Sequence, residues 1–138
     1  MSSKKKRLLA PEVLEAATEE VLARAHTQGV RAALAGGFAL QQWGSPRLTG
    51  DVELVVEQEL EGLKEVGRLS FGGQKLETTE GVPVDANLRD DEYAALYEEA
   101  LNVAPVDLET GWRIISPEYL LAMKRWRGER LTEPIWSS

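Results

Sequence analysis

Ala35-Gly36-Gly37-Phe38-Ala39-Leu40, followed by Arg47-Leu48-Thr49-Gly50-Asp51-Val52-Glu53-Leu54-Val55-Val56, is the stretch whose reading decides the fold. An apolar run ending at Ala35 stops at two glycines, where a backbone can turn sharply or approach a ligand with no Cβ in the way. A short apolar helix, Phe38 to Trp43, follows directly. Such an opening leaves unpaired N–H groups and a positive helix end facing one spot, a ready place for phosphate. Asp51 and Glu53 then stand two residues apart at the mouth of Leu54-Val55-Val56, which reads as a buried strand. Alternate residues of a strand share a face, so both carboxylates point the same way. A phosphate cradle beside paired oxygen ligands points to metal-assisted phosphoryl chemistry.

Outward from this stretch the pattern stays mixed. Pro11-Glu12 can start a helix, and Leu14, Ala17, Val21 and Ala25 recur at three- and four-residue steps as one apolar stripe. Gln28-Gly29 ends that helix, and Val30 to Ala35 reads as the first strand. Gly44-Ser45-Pro46 is turn chemistry, so Arg47 and Thr49 lie in a loop that delivers the chain to the strand near Asp51. Glu57 to Leu63 reads as a short helix or loop. Gln74–Thr79 and Val82–Leu88 flank Glu80-Gly81 as a hairpin. There Val82, Val84 and Ala86 alternate with Pro83, Asp85 and Asn87, which turns Asp85 away from the valines.

Asp90-Asp91-Glu92 puts acids at the start of a helix from Tyr93 to Leu101, and Val103–Leu108 and Trp112–Ile115 give two short extended pieces. Ser116-Pro117-Glu118 reads as a hydroxyl cap with proline in the first turn of a closing helix, Tyr119 to about Trp126. The sum is an α+β, mixed α/β protein. Residues 1–10 read as a basic N-terminal tail and 11–138 as a single domain.

Composition narrows the function classes. Zero cysteines remove disulfides, thiolate catalysis and cysteine metal sites, and fit a cytoplasmic protein. No apolar run approaches the length that spans a bilayer. Lys4-Lys5-Lys6-Arg7 before Leu8-Leu9-Ala10 only imitates a signal peptide, and a solvated tail is the better reading. A net charge of -7 argues against broad non-specific binding to nucleic acid.

Spacing alone does not single out Asp51 and Glu53. Acid-x-acid pairs recur at Glu57/Glu59, Glu59/Glu61, Asp90/Glu92 and Asp107/Glu109. What distinguishes the first pair is its position after a glycine turn and at the mouth of an apolar strand. His26, the only histidine, offers neither a metal cluster nor a nucleophile relay. Trp112, Tyr119 and Trp126 among Arg113, Arg125, Arg127 and Arg130 could stack on RNA, but core aromatics beside a basic helix face explain them more cheaply. Asp107 and Glu109 read as charges that protect a strand edge.

Gly36-Gly37, Arg47-x-Thr49-x-Asp51-x-Glu53, Val84-Asp85-Ala86 and the run from Ser116 to Lys124 together resemble the nucleotidyltransferase superfamily that includes DNA polymerase beta. The likeness is greatest to small prokaryotic AbiEii-type and minimal nucleotidyltransferases, over roughly residues 30 to 127. It implies a central mixed β-sheet flanked by helices. It also implies Asp51, Glu53 and Asp85 as catalytic ligands of Mg2+ (or Mn2+), with Asp85 helping to activate an acceptor hydroxyl.

By the same resemblance Gly36 and Gly37 meet the phosphates of a nucleoside triphosphate, and Arg47, Thr49 and Lys124 match nucleotide-binding positions. The implied activity moves a nucleotide from the triphosphate to a hydroxyl on protein or RNA, in a toxin–antitoxin setting. Two departures stand out. Small relatives more often carry aspartate where this chain has Glu53. They also continue past the Lys124 helix into a Lys-Asp pair and a further helix, where this chain runs through Arg127 and Arg130 to Pro134 and Ser138. Those departures motivate an alternative: a non-catalytic member of the fold that forms a homodimer or binds a helical partner protein.

Overall fold

A computed structural model of the chain describes residues 7–126, and the folding begins with a helix whose start and stop are both written locally. Helix α1 (Pro11–Thr27) opens on proline and closes at Gln28, after which Gly29 takes a positive φ of 72° and Val30 N–H reaches back to the Ala25 carbonyl at 2.9 Å. Only glycine adopts that left-handed turn cheaply, so the stop is set by one residue. The buried stripe holds the predicted Leu14, Ala17, Val21 and Ala25 and also Thr18, whose hydroxyl is satisfied inside the helix by the Leu14 carbonyl at 2.8 Å.

The chain then runs through β1 (Ala32–Ala35), α2 (Gly36–Gln42), β2 (Val52–Val56), β3 (Lys64–Arg68), β4 (Gly73–Glu77), β5 (Pro83–Asn87), α3 (Ala94–Asn102) and α4 (Pro117–Trp126). The five strands form one sheet in the order β1-β2-β5-β4-β3. Only β2 and β5 are parallel; β1–β2, β5–β4 and β4–β3 are antiparallel. The mixed α/β expectation is therefore met, with four helices among the described residues. Leu34, Leu54, Leu76, Val52, Val84 and Ala86 are all buried in the core, and α1 packs on β1 and β2 while α3 packs on β2.

Several local readings shift. The first strand starts at Ala32 rather than Val30. Strand β3 falls in a segment with no apolar alternation, because it is an edge strand exposed on most positions, with a bulge between Glu65 and Gly67. Such edges are tolerated when charged and irregular. The stretch over 57–63 is a loop. The acids at 90–92 precede α3 instead of lining its first turn: Asp91 is gripped by the Arg89 guanidinium, which holds its carboxyl below the usual aspartate range, and accepts from the Tyr93 N–H at 3.2 Å.

Ser116 does not cap α4 with its hydroxyl. The helix is opened by the Ser116 carbonyl, which accepts from Tyr119 and Leu120 N–H at 3.1 and 3.0 Å, and the buried Oγ has no partner among the described residues. Asp107 folds a turn rather than guarding a strand edge, taking the Thr110 N–H and hydroxyl at 2.9 and 2.6 Å. The outer edge of β1 is covered by 113–115: Leu34 N–H donates to the Arg113 carbonyl and Ile115 N–H to the Leu34 carbonyl. Lys4, Lys5, Lys6, Arg127, Arg130 and the residues after them lie outside the described residues. No helix among those described is long and apolar enough to cross a membrane.

Candidate metal centre

The candidate site lies where β1 hands over to α2 and where the parallel pair β2–β5 runs beside that turn. Glu53 is the register partner of Ala35 on one side and of Asp85 on the other. Residues directly opposite on neighbouring strands share a face, so sequence-distant Glu53 and Asp85 are brought side by side by register alone. Asp51 precedes β2 by one residue and shares the face of Glu53.

The three carboxylates converge. Asp51, Glu53 and Asp85 each offer an oxygen, and these oxygens lie within 4.8 Å of one another; Asp51 is buried and the other two half-buried. Opposite ligands of an octahedral Mg2+ stand about 4.2 Å apart, so closing the group around such an ion takes only small side-chain rotations. Three carboxylates this close repel one another, and a cation relieves that repulsion as no neutral group can. The donor set is all oxygen and suits a hard divalent ion, without selecting which one.

The surrounding residues explain how the group is held. Thr49 Oγ1 donates to Asp51 Oδ1 at 3.2 Å, and the loop that carries it is tied by Leu9 N–H to the Thr49 carbonyl at 3.0 Å. Gly36 has a positive φ of 69°, and a Cβ built there would fall 2.8 to 2.9 Å from the Cβ, Cγ and Cδ of Glu53. The glycine is thus required twice, by its backbone conformation and by the glutamate chain lying against it. Gly37 has a related role, since a Cβ on it would meet the Thr49 side chain at 3.1 Å.

A crevice of about 30 Å³ opens at this point, bounded by Gly36, Gly37, Glu53, Asn87, Tyr97 and Lys124. Lys124 of α4 is thereby brought next to Glu53 and the glycine turn. Arg47 is different: it is exposed in the loop after α2, with its N–H on Ser45 Oγ at 3.3 Å, and lines neither the acid group nor the crevice.

Two residues of the site were not singled out in the sequence. Asn87 could have been, as it stands two residues beyond Asp85 on the same face; its Nδ2 donates to the Leu54 carbonyl at 3.0 Å and ties β5 to β2. Tyr97 carried no local signal, since it enters only because α3 docks over the sheet. His26 is exposed near the end of α1, outside the acid group. Trp112 is buried, 6.2 Å from the Phe38 ring, with its Nε1 on Glu19 Oε2 at 2.9 Å, which is a core role. A wider groove of about 800 Å³, between the start of α1 and the β4–β5 turn, includes none of the three carboxylates among its lining residues.

No protein-family model matches this chain, and no curated protein matches it.

Proposed function

We propose that the chain is a metal-dependent nucleotidyltransferase of the DNA polymerase beta-like kind. It would transfer a nucleotide from a nucleoside triphosphate to a hydroxyl on protein or RNA. The observation that carries this reading is the convergence of Asp51, Glu53 and Asp85 beside the bare glycine turn. On this reading the three acids hold Mg2+ or Mn2+, which supplies charge neutralisation at the reacting phosphate.

The chain's own residues then have distinct tasks. Thr49 fixes the orientation of Asp51, and the Gly36-Gly37 backbone accepts the triphosphate tail. Lys124, from the far wall of the crevice, neutralises part of its charge. Arg47, exposed in the loop after α2 and outside the crevice, is left without a task in this reading. The acceptor oxygen forms a bond to the α-phosphorus, the bond from that phosphorus to the bridging oxygen breaks, and pyrophosphate leaves with the electron pair. Asp85 takes the proton of the acceptor hydroxyl. A toxin-like role in the cytoplasm follows from the same reading.

A second reading, a non-catalytic relative that binds a partner protein, is favoured by one feature. Glu53 lies along Gly36, and the crevice beside it has room for a water or an ion but not for a triphosphate. Calorimetry of magnesium-dependent nucleotide binding, wild type against Asp51→Asn, separates the two. Binding of ATP that requires Mg2+ and disappears in Asp51→Asn supports transfer. Absence of binding for all four triphosphates, by a folded wild-type protein, removes it.

A further inference from the structure

One line of register partners crosses the whole sheet: Ala35, Glu53, Asp85, Lys75 and Gly67, in the order β1, β2, β5, β4 and β3. Lys75 therefore stands directly opposite Asp85, on the face that bears the acid group, with Cβ atoms of such pairs about 4.5–5.5 Å apart. A lysine opposite an aspartate ordinarily closes a cross-strand ion pair. This one does not: Lys75 is exposed and forms no ion pair or hydrogen bond among the described residues. Its stem lies instead over Gly67, where a Cβ would sit 3.5 Å from Lys75 Cδ. By contrast Arg31, Lys64, Arg68 and Arg89 are each tied to a carboxylate.

We infer that Lys75 is a phosphate ligand of the site, its ammonium pairing with a non-bridging oxygen of the phosphoryl group that sits over the three acids. The inference rests on the nucleotidyl-transfer reading and adds to it a residue from a strand that carries none of the acids. A four-carbon stem rotating from above Gly67 toward Asp85 brings the charge over the acid group, and lysine serves as a mobile point charge for phosphate. Without substrate the stem lies over Gly67 and the ammonium makes no ion pair with the acids, so removing its charge should leave metal binding in place.

The two readouts separate, metal binding kept and nucleotide binding lost, which a merely structural lysine would not produce. Mn2+ binding followed by electron paramagnetic resonance, and Mg·ATP binding by calorimetry, are compared for wild type, Lys75→Gln and Lys75→Arg. Lys75→Gln should bind Mn2+ alone as well as wild type. It should bind Mg·ATP at least about tenfold more weakly, the loss expected for one hydrogen bond to a charged group. Lys75→Arg should restore most of that affinity. Equal Mg·ATP affinity in wild type and Lys75→Gln overturns the role of Lys75 and leaves the transfer reading standing. A wild type that binds Mn2+ but no Mg·ATP overturns the transfer reading, and this inference with it.

Discussion

Ser116 shows how one side chain can look right for a role that its neighbours have already filled. Serine before Pro117-Glu118 has the signature of a helix cap, and losing such a cap costs about 1 kcal/mol. In the folded chain the backbone carbonyl opens α4, and the hydroxyl is buried without a partner among the described residues. A buried hydroxyl that makes no hydrogen bond is a cost, so Ser116→Ala should leave stability unchanged or raise it by up to about 1 kcal/mol. Urea unfolding decides: a loss of about 1 kcal/mol or more would restore the capping role. Gly36 is the opposite case, where the sequence and the structure agree that no other residue fits.

At the scale of elements, the open end of the β1–β2 pair is closed by Arg31 and Glu57. The Arg31 N–H donates to Glu57 Oε2 at 2.8 Å, its Nε donates to Oε1 at 3.0 Å, and its guanidinium also reaches Asn102 at the end of α3. These bonds hold the Glu57 carboxyl below its ordinary value of 4.5, the Arg31 N–H contributing most. A carboxylate whose folded pKa is depressed stabilises the fold above its unfolded value and loses that contribution as pH falls through the folded one. With side chains 45% and 32% exposed, the contribution is under about 1 kcal/mol. Glu57→Gln should therefore be slightly less stable than wild type at pH 6, and the gap should close below the folded pKa. Urea midpoints that differ by the same amount from pH 6 to pH 3 would contradict this. On the β3 edge Arg68 bridges Glu59 and Glu65, Lys64 pairs with Glu77 of β4, and Gln28 at the end of α1 bonds the Glu61 backbone just before the strand.

For the molecule as a whole, the acid group is a local concentration of negative charge in a chain whose net charge is already -7. Anything that binds the folded form and not the unfolded one raises stability by mass action, about 2.7 kcal/mol at a hundredfold excess over the dissociation constant. Saturating Mg2+ or Mn2+ should therefore raise the melting temperature by roughly 5–15 °C. Asp85→Asn should melt no lower than wild type without metal, because it removes one of three repelling charges, and should respond little when metal is added. Differential scanning calorimetry of both proteins with and without Mn2+ tests this, and an equal rise in both would place the ion elsewhere.

How much was legible in advance follows from the range of each interaction. The glycine turn, the Asp51/Glu53 pair, the alternation that turns Asp85 from the valines, and the hairpin around Gly81 all depend on neighbours in the chain, and sequence alone determined them. Strand β3 was not legible, because a solvated edge strand has no buried face to impose a pattern. Tyr97 and Lys75 were not legible either, for their places depend on which strands and helices lie together. Above all, only the tertiary structure decided that β2 and β5 pair in parallel with Glu53 opposite Asp85. No local sequence signal encodes that register; it is set by burying Leu54, Val84 and Ala86 on a common face, and the three carboxylates meet as its consequence.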